Sequence, residues 1–247
     1  MITIDKLCKI CSDKLELKDI SLEIYEKEIY GFLGKSESGY EELAALLAGC
    51  DVPDSGYVFY KEKSMFSSAK ARATIKKKIG YVPSKPSFED KMTVMEVLDL
   101  VGRTKNVDVD KRYRQIKEAL ELTALNKKEN VIIRELSLSE IKRLSLAASL
   151  LGNPDAVIMV EPFHYLDRNH AKMIKDIIYL LAKKKAVLIF SSRAADVEEM
   201  CSNIAIVSNG KIALYDSKQT ILEKLSANGG GSLADVLEAF SDVKEEQ

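Results

Sequence analysis

The stretch Ile29-Tyr30-Gly31-Phe32-Leu33-Gly34-Lys35-Ser36-Glu37-Ser38-Gly39-Tyr40-Glu41-Glu42-Leu43 decides the fold. Ile29 to Leu33 reads as a short buried strand. It runs into a loop bounded by Gly34 and Gly39, in G-x-x-x-x-G spacing, and a helix is predicted from about Glu41 to Ala48, stopped at Gly49. Strand, glycine-rich loop and helix in this order are the setting of a phosphate cradle. There, backbone N–H groups and the helix N-terminus converge on the anion, a lysine neutralises its charge, and a Ser or Thr holds Mg²⁺. The glycine spacing is present, but Tyr40 stands at the lysine position and Glu41 at the hydroxyl position. The plainer alternative is a strand-to-helix turn kept for packing.

Before the loop, Ile2 to Ile10 and Leu15 to Ile24 alternate as strands around the turn-prone Ser12-Asp13, and Glu26-Lys27-Glu28 is a polar turn. After it come a strand from Gly56 to Glu62, a basic helical stretch from Ser67 to Lys78, and a strand from Ile79 to Pro83. Thr93 to Leu100, Asp110 to Leu122 and Ser139 to Leu151 have helical spacing, with Thr93, Asp110 and Ser139 as predicted N-caps, so residues 86–150 read as a helical insert. Ala156 to Val160 (strand), Asp167 to Ala182 (helix) and Ala186 to Phe190 (strand) resume an alternation that implies a parallel sheet with crossovers. Ile204 to Val207 and Lys211 to Tyr215 flank Asn209-Gly210, a strong hairpin signal. Asn228-Gly229-Gly230-Gly231 then breaks the chain before an amphipathic helix from Leu233 to Phe240.

The loop alone is a weak signal, and its neighbours in register make it strong. Leu17-Lys18-Asp19-Ile20-Ser21-Leu22 precedes it, and Ile79-Gly80-Tyr81-Val82-Pro83 precedes the helical insert. Downstream stand Leu136-Ser137-Leu138-Ser139-Glu140, Leu150-Leu151-Gly152-Asn153-Pro154, Ile158-Met159-Val160-Glu161-Pro162, Leu166-Asp167 and Ser191-Ser192-Arg193. In order and spacing the whole chain resembles the ATP-binding cassette family. Its closing segment, Gly231-Ser232-Leu233 to Phe240, resembles that of cassettes serving drug and peptide exporters. The resemblance implies an α/β fold of P-loop NTPase type: a RecA-like core, an N-terminal antiparallel β subdomain and an inserted α-helical subdomain, in one domain spanning 1–247 with the closing elements in about 212–247. It also implies a cassette dimer that sandwiches ATP, a membrane permease as partner with contact expected over Ser84 to Val97, and a place on the cytoplasmic face of the membrane through that permease.

The same resemblance assigns the sites, and most carry other residues than the family's. Gly34, Lys35, Ser36, Glu37, Ser38, Gly39, Tyr40 and Glu41 form the loop; Tyr40 supplies no cation, and Glu37, Glu41 and Glu42 bring negative charge to a helix N-terminus whose dipole they satisfy themselves. The signature segment keeps Leu136 and Ser137 but places Leu138, Ser139 and Glu140 where the family has Gly-Gly-Gln, and a side chain there fills space that glycine leaves for a phosphate. Val160 stands where an Asp holds the metal through water, while Glu161 keeps the general-base position with nothing for it to act on. Ser84 replaces the metal-sensing Gln, and Arg193, always protonated, replaces the switch His. Cys11 falls on the adenine-stacking position, and Asp167 matches the D-loop.

Hydrophobic residues are 46%, charged residues 30% and the net charge is -1, which argues against nucleic acid as a partner. No apolar run reaches the length of a membrane span. Cys8 and Cys11 form a C-x-x-C pair in a strand; with Cys50 and Cys201 they are expected to be reduced, and no metal site is expected. The two histidines, His164 and His170, are expected on a loop and a helix surface without partners. The leading expectation is a catalytically inactive cassette, structural or regulatory, beside a permease and a second cassette, identical or intact. No cofactor is expected, and ATP with Mg²⁺ only if the site works. The alternatives are an ATPase with unusual ligation through Lys35 and Glu161, and a soluble scaffold of cassette fold.

Overall fold

The computed structural model describes residues 1–12, 15–35, 37–227 and 232–241. Strands β1 (Ile2–Ser12), β2 (Leu15–Ile24) and β3 (Ile29–Leu33) lead into helix α1 (Tyr40–Leu47). Next come β4 (Ser55–Tyr60), β5 (Lys63–Ser64), α2 (Ala69–Lys76) and β6 (Ile79–Val82). The helices α3 (Val94–Thr104), α4 (Val109–Leu122) and α5 (Leu138–Leu150) follow. Then come β7 (Ala156–Val160), α6 (Arg168–Ala182), β8 (Ala186–Ser191), α7 (Ala194–Glu198), β9 (Asn203–Ser208) and β10 (Lys211–Ser217). The helices α8 (Lys218–Ala227) and α9 (Leu233–Ser241) end the described chain.

The main sheet has the order β10-β9-β3-β8-β7-β6 and is parallel from β9 to β6, with β10 antiparallel at its edge. A second, antiparallel sheet has the order β2-β1-β4-β5. The central strands are apolar along their whole length because both faces are covered. Ala186, Leu188 and Phe190 of β8 face the core shared with α1 and the antiparallel sheet, and Val187 and Ile189 face the core under α6, α7 and α9. A third core binds α3, α4 and α5 together. These are the α/β core, the β subdomain and the helical subdomain that the resemblance implied.

Local chemistry sets the boundaries. Thr93 caps α3 in a capping box with Glu96, as its sequence predicts. Two predicted caps move. Ser137, not Ser139, caps α5, because Ser137 and Glu140 have the three-residue spacing of a capping box. Asp108, not Asp110, precedes α4, and it makes no side-chain cap bond. The strand predicted to reach Glu62 ends at Tyr60: Lys61 and Glu62 have φ of 46° and 66° and turn the chain into β5. Asp13 of the Ser12-Asp13 turn and the Asn228–Gly231 break lie outside the described residues.

The Asn209-Gly210 hairpin ties distant parts together. Its residues have φ of 47° and 73°, both in the left-handed region that a two-residue hairpin turn needs. Gly210 N–H donates to the Ser38 carbonyl at 2.9 Å, and its carbonyl accepts from Lys18 N–H at 2.8 Å. A Cβ on Gly210 would lie 1.8 Å from the Glu16 carbonyl oxygen. Gly210→Ala is therefore expected to cost at least about 2 kcal/mol, because strained φ and a backbone overlap add; urea unfolding measures it.

Candidate functional site

The loop after β3 turns through Gly39, whose φ of 91° sets the entry to α1 without a side-chain cap. That entry turns Tyr40 inward. Its side chain is 2% exposed, and its hydroxyl donates to Glu161 Oε1 at 2.8 Å. Glu161 follows β7 with φ of 46° and is itself 2% exposed. The same Oε1 accepts from Ser192 N–H at 2.7 Å; Oε2 lies 3.2 Å from Ser191 Oγ and 3.3 Å from His164 Nε2. Burial pushes the Glu161 carboxyl pKa up, but hydrogen bonds from Ser192 and Tyr40 outweigh it and hold the group below the ordinary glutamate range. Burial, with the Glu161 contact, pushes the Tyr40 phenol up, so it stays a donor. Ser191 Oγ also lies 3.1 Å from Asp196 Oδ2, and Asp196 Oδ1 accepts from Arg193 Nη2 at 2.5 Å.

A second pair lies beside the first. Ser84 Oγ donates to Glu41 Oε2 at 2.7 Å. Behind both pairs stands Lys142 of α5, 2% exposed. Its Nζ donates to the carbonyls of Pro83 at 2.8 Å, Ser84 at 3.2 Å and Val160 at 2.8 Å. It therefore joins the helical insert to the ends of β6 and β7. Burial lowers its pKa to about 8, against the opposing pull of Glu161 and Glu41. A depressed lysine pKa means that the native state binds fewer protons than the unfolded chain between about pH 8 and 10.5, so stability rises with pH across that window. Lys142→Met removes this rise. The stability difference between native chain and variant is expected to grow from pH 8 to pH 10 in paired urea titrations.

The remaining site residues are placed differently. Lys35 and Glu37 are exposed, and Ser36 lies outside the described residues. Gly34 N–H donates to the Ser191 carbonyl at 3.2 Å and Ser38 N–H to the Lys35 carbonyl at 2.9 Å, so both donors turn onto the chain itself. The Ser38 hydroxyl is buried with no partner among the described residues. In the signature segment, Ser137 and Glu140 serve the α5 cap, Leu138 is 62% exposed, and Ser139 Oγ is buried and unpartnered among the described residues. Val160 is fully buried, with its carbonyl on Lys142. Asp167 caps α6, accepting from His170 N–H at 2.8 Å. Cys11 is half-buried.

The expectation that both histidines lack partners is corrected. His164 stands against Glu161, and His170 Nδ1 lies 2.8 Å from Asp167 Oδ2. Each pair is spaced i, i+3, and that spacing was the available signal. Lys142 was missed altogether. A lysine among the apolar residues Ile141, Leu144 and Leu146 of α5 was its only trace.

The ABC transporter family model matches residues 17–164. The chain belongs to the ABC transporter family. An ABC transporter ATP-binding protein of Methanocaldococcus jannaschii is 28% identical over 226 residues, 91% of this chain and 80% of that protein. Nod factor export ATP-binding protein I of a Rhizobium species is 28% identical over 217 residues, 87% of this chain and 70% of that protein. The fold matches a solved ATP-binding subunit of an ABC transporter with a TM-score of 0.86 at 17% identity, covering 97% of this chain and 99% of that one. It also matches a dimeric ATP-binding cassette in a post-hydrolysis state bound to ADP and Pi, with a TM-score of 0.81 at 20% identity, covering 88% and 99%. At these identities the structural matches establish the ABC cassette fold.

Proposed function

We propose that this ABC transporter subunit does not hydrolyse ATP and acts as a structural or regulatory subunit beside a membrane permease and a second cassette, held at the cytoplasmic face of the membrane by the permease. The observation that carries this reading is that the altered residues are paired within the chain, one of them with the retained Glu161. Tyr40, at the lysine position, bonds Glu161, at the general-base position, at 2.8 Å. Glu41 and Ser84, at two metal-ligand positions, bond each other at 2.7 Å. Two substitutions that each destroy a ligand contact would leave buried polar groups unsatisfied, and such groups are costly. Here each pair satisfies itself.

The residues present do not fit Mg-ATP. The first turn of α1 carries two glutamates and no cation. Tyr40 ties up Glu161 from inside. Leu138 and Ser139 fill the place of the signature glycines, so the half-site offered to a partner cassette is also altered. Contact with the permease is assigned to the segment from Ser84 to Val97; charge reversals there that left membrane association unchanged would remove that assignment.

Titration calorimetry of the purified chain with Mg-ATP tests the nucleotide claim. No binding heat is expected at millimolar ATP. Binding in the micromolar range would mean a rebuilt phosphate site and would favour an ATPase using Lys35 and Glu161.

A further inference from the structure

The residues of this site do not fit Mg²⁺, yet the chain brings a cation of its own to it. Lys142 is 2% exposed and reaches from α5 to the ends of two neighbouring parallel strands. An ammonium has three N–H donors, and three main-chain carbonyls accept here: Pro83 and Ser84 after β6, at 2.8 and 3.2 Å, and Val160 at the end of β7, at 2.8 Å. No donor is left for a ligand. The carboxylates of Glu161 and Glu41 favour the charged form through space. Carbonyl and carboxylate oxygens are the ligands that hard divalent cations take. Two of the three carbonyls belong to altered positions, Ser84 in place of the metal-sensing Gln and Val160 in place of the metal-holding Asp.

The next residue works in the opposite direction. Arg143, 5% exposed, donates through Nη1 to the carbonyls of Thr123 at 2.9 Å and Ala124 at 2.8 Å, just past the end of α4. Successive helical residues point about 100° apart, so α5 grips the core with one cation and the insert with the other. Further along α5, Leu144 and Ala147 pack into the core of the insert and Leu146 into the core under α6. Apolar packing has no direction of its own. Charge-assisted bonds to three fixed carbonyls do, and they set where the head of α5 lies.

Resting on the reading that this chain does not use Mg-ATP, we infer that Lys142 is a built-in cation in the metal's stead: it offsets Glu41 and Glu161 and ties the head of α5 to the ends of β6 and β7 without nucleotide. The insert thus keeps one orientation to the core through the chain's own charge, and the altered signature segment at the head of α5 is held in place with it.

Hydrogen exchange of the full chain without nucleotide, followed by mass spectrometry, tests this. In Lys142→Met, which fills the volume without the charge, amides of 84–92 and 138–143 should exchange at least about tenfold faster, as expected for the loss of one or more charge-assisted bonds. Amides of β8 and β9 should keep their native rates. Lys142→Ala should behave alike. Propylammonium, which replaces the deleted atoms and charge, should slow both segments of that variant again, and sodium at the same concentration should not. Native rates in Lys142→Met, acceleration of β8 and β9 by the same factor, or equal effects of the two salts would overturn the inference; with no Mg-ATP binding in calorimetry, the subunit reading would still stand. Tight Mg-ATP binding by the native chain would overturn that reading and, with it, the replacement of the metal by Lys142.

Discussion

Exchanging Tyr40 for lysine and Glu41 for serine is expected to raise the affinity for Mg-ATP by at least about a hundredfold. Each exchange replaces an unfavourable group with a charge-assisted contact worth about 1.5–3 kcal/mol, and each 1.4 kcal/mol is about tenfold in affinity. Lysine at this position would place a cation beside Glu161, and serine would remove a carboxylate from the first turn of α1. Tyr40 belongs to the core cluster, so the variant's thermal unfolding should be recorded with its binding curve. Tyr40→Phe is the control. It cuts the bond to Glu161 without adding a cation, and calorimetry should still show no binding at millimolar ATP. If the double variant also stays silent, the backbone path of the loop excludes phosphate, and the account by side chains is wrong.

The same positions show what the sequence could disclose. Strands such as Val157 to Val160 and Val187 to Phe190 are apolar on both faces, and that alone requires a covered parallel sheet. Asn209-Gly210 specified its own hairpin, and Thr93 its own cap. These signals are local. The site is not: Tyr40 and Glu161 lie 121 residues apart, and a reading of motif positions says that one is altered and the other kept, not that they satisfy each other. Lys142 reaches the ends of two strands from a helix of the insert, so its part in the site depends on tertiary geometry. The misplaced α5 cap had a local cause. Ser137 and Ser139 both precede an apolar helical pattern, and only the spacing to Glu140 separates them.

Glu161→Ala is expected to lower the stability of the folded chain by about 3–5 kcal/mol near neutral pH, because it leaves the donors of Tyr40 and Ser192 facing no acceptor, leaves Ser191 with Asp196 alone, and removes a carboxylate charge that favours protonated Lys142. Urea unfolding measures the loss. The pH dependence follows from the depressed carboxyl pKa. The folded group releases its proton more readily than the unfolded one, so its contribution is present in full above the ordinary value of 4.5 and is lost as pH falls through the lower folded value. The alanine variant should lack this acid limb. Glu161→Gln keeps an acceptor for Tyr40 and Ser192, and should cost about 1–2 kcal/mol. The two variants separate the competing roles. A general base changed to glutamine loses turnover while the fold is nearly untouched. An internal acceptor changed to alanine loses stability, with turnover at background before and after. Stability within about 0.5 kcal/mol of the native chain for Glu161→Ala would show that Tyr40 and Glu161 are neighbours without being partners, and the self-satisfied site would have no energetic basis.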